Sequence, residues 1–425
     1  MSLFLLGLFF ILMFIGIPIA ASLGIAVVTT VLLFTDVPIN IVTQSMYSSM
    51  NSFLMVAVPL FILAGIIMEE GGVADRIFDF SKSMVGWMTG GLGHVNIIAS
   101  LIFAGMAGSS VADIASTGRI QINAMVKNKY TLEYATALTL ITSMLATIIP
   151  PSILMIIAAS TAGVSISAAL VGGLVPGVII SILFMVYNHY YCKKHNLGER
   201  IKFDINDLKV KFIKAMPALL APIILLVGIL IGYFTPTEAA AIAVFYMLFI
   251  SLFVYKDITF RQLPDIFFRT AKLSGTILFI AVTAKPASWV FEYDGLPSRV
   301  ASFIGNISDS PFIIMTLLFI FLVIVGMFMD ATAAIFILVP IIMPTVHAVG
   351  IDPVFFVVFL VILLSFGLIT PPIGICLYAV CNITGLKLER VTKSTMPWIY
   401  FTFAILFVFV LIPELITEPL KWFGF

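Results

Sequence analysis

The sequence predicts an all-α polytopic membrane protein made of two copies of one helical unit. Three observations carry this. Of its 425 residues, 61% are hydrophobic and only 10% charged, whereas soluble domains are nearer ~45–50% apolar. Two Pro-Pro pairs, Pro150-Pro151 and Pro371-Pro372, each stand inside a long apolar run. A shift of 221 residues superposes those pairs and also places Gly105-Met106 on Gly326-Met327 and Pro176 on Pro397.

Composition excludes several classes. The net charge is +1, and the Lys and Arg residues sit in short loops rather than in a stripe, so nucleic acid is not an expected partner. Cys192, Cys376 and Cys381 are too few for a disulfide framework. His94, His189, His195 and His347 lack metal-ligand spacing, and no nucleophile-elbow, zinc-protease or P-loop motif occurs, which argues against an enzyme and against a bound cofactor. The apolar segment from Leu3 has neither a basic flank before it nor a small-residue cleavage site after it, so it reads as a retained span.

Taken in order, Ser2 to Phe34 is interrupted at Gly16-Ile17-Pro18 and reads as two short spans of about 16 residues, where ~20 is usual. Asp36 to Asn51 is amphipathic and reads as an interfacial arm. Phe53 to Met68 crosses, and Val73 to Met88 forms a second arm closed by Trp87 at headgroup level. His94 to Arg119 is too short for two crossings, yet its centre is Gly/Ser-rich, which predicts a re-entrant hairpin whose tip stops near mid-membrane and whose end is marked by Arg119. Tyr130 to Ser160 crosses with the first Pro-Pro break, and Ala168 to Tyr191 returns. Cys192 to Lys214 is a basic hydrophilic linker, cytoplasmic by the positive-inside rule. The second round comprises Met216 to Tyr233, Ala239 to Tyr255, an arm from Lys256 to Lys272, a span from Leu273 to Phe291, an arm near Leu296 to Ile304, a hairpin from Pro311 to about Pro344, the broken span Val354 to Cys381, and Val391 to Ile412. The expected units are therefore a first repeat over 1–191, the linker 192–214, and a second repeat over 215–425.

Equivalent loops of the two rounds carry opposite charge. Lys127 and Lys129 correspond to the Lys/Arg-free stretch Ala348 to Val354, while the uncharged Gly163 to Ala169 corresponds to Lys387, Arg390 and nearby Lys393. A unit inserted upside down must exchange its cytoplasmic and outer loops, so this pattern predicts an inverted-topology repeat.

Proline has no amide hydrogen. Pro150 and Pro151 therefore leave the carbonyls of Ala146 and Thr147 without helical donors, and Pro371 and Pro372 do the same to Gly367 and Leu368. At membrane depth such carbonyls need protein, water or an ion. Inverted repeats with broken helices are the build of secondary transporters, in which half-helix ends hold anions and freed carbonyls hold sodium. The candidate sodium and substrate residues are Ser109, Ser110, Asp113, Asp330 and Thr332 at the hairpin tips, with Thr147, Pro150, Pro151, Ser152, Thr370, Pro371, Pro372 and Gly374 at the breaks. Asp113 and Asp330 carry most weight, because an intramembrane carboxylate is expensive unless it is used.

The stretches Gly-Met-Ala-Gly-Ser-Ser-Val-Ala-Asp (105–113), Ile-Ile-Pro-Pro-Ser (148–152), Thr-Pro-Thr-Glu-Ala-Ala-Ala (235–241) and Ile-Thr-Pro-Pro-Ile-Gly (369–374) together resemble the large membrane subunit of the tripartite ATP-independent periplasmic (TRAP) transporters, with wording nearest the sialic-acid type. That resemblance implies sodium-coupled import of an organic acid anion, sialic acid (N-acetylneuraminate) first among candidates, by an elevator mechanism in the bacterial inner membrane. It also implies a small four-helix membrane subunit as partner, a soluble periplasmic binding protein that delivers substrate, and Ser109, Asp113 and Asp330 as sodium or substrate ligands. The alternatives are a C4-dicarboxylate or other carboxylate as substrate, a self-sufficient ion-coupled anion symporter, and a channel whose hairpins line a pore.

Overall fold

The computed structural model describes residues 1–51, 53–308 and 310–424, and these residues form helices and the turns between them. Among them, seven helices are long and apolar enough to cross a membrane, or nine if each of two sharply bent pairs is one span.

The chain begins with two short helices, Ser2–Phe14 and Ile19–Phe34, joined through Gly16 at φ +95°. A positive φ is the conformation glycine adopts without penalty, and Pro18 then opens the next helix, where its missing N–H is harmless. The amphipathic helix Asn40–Met50 follows. Ala57–Glu70 then packs against Pro236–Phe249 and bends by 68° into Val73–Val85.

In the second half the expected arm Lys256 to Lys272 and span Leu273 to Phe291 are one continuous 31-residue helix, Leu263–Tyr293. The cluster Arg269/Lys272 marks a change of polarity, but polarity alone does not end a helix. Gly275 costs only about 1 kcal/mol there, and Pro264 sits in the first turn, where it is tolerated. The hydrophilic stretch Cys192 to Lys214 also differs from expectation: Ile166–His195 and Ile205–Leu230 run into it from both sides, leaving only 196–204 non-helical. Lys193, Lys194 and His195 in the last turn of the first suit its negative dipole end. Pro236–Phe249 opens on a capping box in which the Thr235 hydroxyl accepts from the Glu238 amide and the Glu238 carboxylate accepts from the Thr235 amide.

The first hairpin is longer than its sequence suggested. Its outbound arm is Gly91–Ala107, its tip is Gly108-Ser109, and its return arm runs from Ser110 through a π-turn at Ile114–Gly118 to Lys127. Arg119 therefore stands exposed in the middle of the return arm rather than at its end; Lys127 ends it. The second hairpin has arms Pro311–Phe328 and Ala331–Ala348.

The first broken helix comprises Leu132–Ser143 and Leu145–Ile148, then Ile153–Ala162 after the break, with a bend of 43°. The second comprises Pro353–Leu368 and Ile375–Thr384. Leu388–Leu411 and the short amphipathic Glu414–Trp422 close the chain. The two halves interlock. Ile153–Ala162 packs on the second hairpin's Ala331–Ala348, while Ile375–Thr384 packs on the first hairpin's return arm.

Ion pairs fix which ends share a membrane face. Lys129 pairs with Glu199 at 2.6 Å, Arg390 with Glu133 at 3.9 Å, Arg76 with Asp257 at 2.5 Å, and Arg269 with Glu70. Of the 22 Lys and Arg residues, all but Arg119, Lys285, Arg299 and Lys421 belong to this end, which is therefore cytoplasmic.

Candidate ion and substrate site at the helix breaks

Four helices begin at the hairpin tips and breaks, and each solves its N-terminus differently. The Ser109 hydroxyl accepts from the Ala112 amide at 3.5 Å. Asp330 Oδ1 accepts from the amides of Thr332 at 2.9 Å and Ala333 at 3.3 Å. The Ser152 hydroxyl accepts from the Met155 amide at 3.1 Å and donates to the Thr147 carbonyl at 2.5 Å. Gly374 has no side chain to offer, and its φ of −3° brings its Cα so near the carbonyls of Leu368 and Thr370 that an added Cβ would lie 2.9 and 2.8 Å from them. The carbonyl that the sequence left free at Thr147 is thus already met by Ser152, whereas the carbonyls at the second break converge on a glycine. Both Pro-Pro bonds are cis.

Each tip closes on its own break. At Gly108, φ +60°, an added Cβ would lie 2.8 Å from the Pro151 carbonyl oxygen. The Ile373 amide donates to the Met327 carbonyl at 3.3 Å, and Gly367 lies so close to Gly326 that a Cβ on it would come within 2.3 Å of the Gly326 backbone. The two breaks then meet through a hydroxyl chain. Ser110 approaches Thr147 at 3.4 Å, Thr147 donates to Ser365 at 2.7 Å, and Ser365 donates to the Val361 carbonyl at 2.6 Å. All three side chains are buried.

Asp113 is wholly buried. Its Oδ2 accepts from the Ser100 hydroxyl at 3.0 Å and its Oδ1 from Thr117 at 2.8 Å, the latter brought under it by the π-turn. No Lys, Arg or His forms an ion pair with it among the described residues. Behind it lies a polar ladder: the Thr142 hydroxyl donates to Asn96 Oδ1 at 2.7 Å, and the Asn96 amide donates to Thr139 at 2.7 Å. Ser100, Thr117, Asn96 and Ser365 were not among the residues the sequence singled out. Their signal was present as polar side chains recurring on otherwise apolar helices.

Asp330 shares no hydrogen-bond partner with Asp113 among the described residues. It lines a separate cavity of about 240 Å³ with Gly374, Leu368 and Ile373 from the second break and with Met13, Phe14 and Ile19 from the first two helices. Thr332 is buried behind it, and the Thr370 hydroxyl donates to the Phe366 carbonyl at 2.6 Å. The breaks also differ in access: Pro150, Pro151 and Ser152 are buried, whereas Pro371 is half-buried and Pro372 exposed. A third feature escaped the sequence reading. Lys285, alone in the apolar stretch of Leu263–Tyr293, lines a polar cavity with Glu292 and His347.

A family model described as "Tripartite ATP-independent periplasmic transporter, DctM component" matches residues 6–415. The chain belongs to this DctM family. Among similar proteins, a 2,3-diketo-L-gulonate TRAP transporter large permease of Escherichia coli is 35% identical over 96% of each chain, and a sialic acid TRAP transporter large permease of Vibrio cholerae is 34% identical over 95% of this chain and 94% of its own. The fold is also that of the Alcanivorax borkumensis YdaH transporter, with a TM-score of 0.64 over 91% of both chains at 13% identity. A DctM protein is the large membrane permease of its TRAP system, and this one is a multi-pass inner-membrane protein. The relatives' names carry different acids, so the sialic-acid wording of the motifs does not by itself set a substrate.

Proposed function

We propose that this DctM permease imports an organic acid anion by sodium symport, with N-acetylneuraminate the first acid to test. The observation that carries the proposal is Asp113: a fully buried carboxylate held by two neutral hydroxyls, with no cationic side chain paired to it among the described residues. A charge at that depth needs a counter-ion, and a carboxylate with nearby hydroxyl and carbonyl oxygens is the hard donor set a group-one cation takes. The converging carbonyls at Gly374 and the Asp330 carboxylate offer a second such set. Sodium acts here as a transported ion; Ser109, Ser110 and Thr147 border the first site, and Thr332 and Thr370 the second. The anion is placed beside them, where half-helix N-termini favour negative charge. In this reading a small four-helix membrane subunit completes the scaffold and a periplasmic binding protein delivers the acid.

The test is uptake into proteoliposomes holding the large and small membrane subunits, with the binding protein outside, over a panel of sialic, gulonic and C4-dicarboxylic acids. Uptake should require inward sodium with a Hill coefficient above one. Equal uptake when potassium or choline replaces sodium would sink the coupling, and uptake without any binding protein would mark a self-sufficient carrier.

A further inference from the structure

The polar cavity at the outer end of the molecule is not used by the sites above. Its volume is about 430 Å³, within the range of small-ligand pockets. One wall is the long helix Leu263–Tyr293, whose Ala281, Ala284, Lys285, Ser288 and Glu292 recur at helical spacing; this helix packs on Ile19–Phe34. The facing wall is the second hairpin's return arm at Phe336, Pro340, Pro344 and His347, with Ser160 and Thr161 from the end of the first broken helix.

Lys285 lies eight residues before the end of its helix, about 12 Å below it. It makes no ion pair with a described residue. Glu292, two turns further out, stands nearer the rim. A lysine near a span's end ordinarily snorkels toward headgroups; this one is exposed and lines a cavity between its own helix, the second hairpin's return arm and the end of the first broken helix. A cation there has hydroxyls around it, and the Glu292 carboxylate in the same lining makes no ion pair with it.

We infer that this cavity is an outer anion vestibule, in which Lys285 holds the carboxylate of a small hydroxylated acid and Ser160, Thr161 and Ser288 meet its hydroxyl groups before it reaches the helix breaks. The inference rests on the proposed import of an organic acid. Because the two walls belong to elements on opposite sides of the cavity, relative movement between them would open or close the vestibule.

The experiment labels single cysteines in right-side-out vesicles carrying the full permease with its small subunit, in a Cys381→Ser background, since Cys192 and Cys376 are buried. Ser48→Cys, exposed in the lining on the helix that packs against Leu263–Tyr293, reports one wall and Thr161→Cys the other. Each is reacted with an anionic and with a cationic methanethiosulfonate of similar size. With Lys285 present, the anionic-to-cationic rate ratio should be about tenfold higher than in Lys285→Gln, and Lys285→Arg should restore it. Millimolar N-acetylneuraminate, or whichever panel acid the transporter imports, should slow labelling only when residue 285 is cationic. A ratio indifferent to Lys285→Gln at both reporters overturns the inference, as does a changed ratio with no protection by any imported acid. Failure of sodium coupling would appear in the uptake assay and leave the labelling ratio unmoved, so the two readings fail separately.

Discussion

At residue scale the chemistry concentrates on Asp113 and the hydroxyl chain beside it. Asp113→Asn keeps the shape and removes the charge, with one of the two hydroxyls turning to accept from the new amide nitrogen, so sodium-dependent uptake should fall to background while the purified protein still elutes as a folded species. Normal uptake by a well-folded Asp113→Asn protein would return the residue to a purely structural role. Thr147→Val breaks the link between Ser110 and Ser365 and leaves Ser365 without its donor. A lost buried hydrogen bond costs about 1–3 kcal/mol, and the effect should be shared by Ser365→Ala in a non-additive double-mutant cycle. A different logic governs Asp294 in the outer loop. Burial pushes its carboxyl up, but the Ser2 hydroxyl and amide, the N-terminal ammonium and Arg299 outweigh that and hold it down at about 2. Because the folded value lies below the ordinary one, the stabilisation is complete above about pH 4 and is lost only as pH falls toward 2. Asp294→Asn should therefore lower the unfolding midpoint equally at pH 5 and pH 6.5; a difference between them would mean another group dominates there.

At element scale, the contacts that position the site are glycine backbones set against other backbones. Gly326 and Gly367 let the second hairpin lie directly on the second broken helix. Gly367→Ala would thrust a methyl into the Gly326 backbone, and neither backbone is a flexible side-chain end that can yield. Overpacking of this kind costs about 1–3 kcal/mol, so thermal unfolding in detergent should shift downward and Gly326→Ala should do less, since its added Cβ meets Gly367 at 3.1 Å. A Gly367→Ala protein of parental stability would show that the two helices part freely. The arms are tied at the cytoplasmic face by exposed or half-exposed pairs, Arg76 with Asp257 and Arg269 with Glu69 and Glu70. Such pairs are worth little individually.

At the scale of the whole molecule, the elevator reading requires the hairpins and broken helices to move against the helices that flank them. The seam available is apolar: Leu101, Ile102 and Gly105 of the first hairpin face Leu219, Pro222 and Leu226 across a cavity of about 430 Å³. A Cβ added at Gly105 would stand 3.0 Å from the Pro222 Cβ, closer than the roughly 3.5–4.5 Å of a disulfide, so Gly105→Cys with Pro222→Cys bridges after a small parting of the two helices. Forming that bridge should stop uptake, and reduction should restore it. Full uptake with the bridge demonstrably formed would rule out the elevator. Drive is ample in this scheme, because one net positive charge carried inward across ~100 mV contributes about 2.3 kcal/mol, nearly fifty-fold accumulation, before any sodium gradient is added.

The sequence alone determined the class, the span order and the two breaks, because hydropathy, proline and the side preference of Lys and Arg act locally and leave their mark in linear order. Gly-Met and Pro-Pro anchors that match at one offset are likewise a feature of linear order, and they are what predicts a repeat. Helix ends were harder to place. Arg119 and Lys272 looked like boundaries, yet helices continue past both, since a charged side chain does not break a backbone hydrogen-bond ladder. Only the tertiary structure decided that Thr147 reaches Ser365 from the other half of the chain, that Ser152 satisfies the carbonyl freed at the first break, that Asp113 and Asp330 occupy different surroundings, and that Lys285 faces a cavity. Each of those depends on which elements pack together, and apolar helices of similar composition carry no local record of their neighbours.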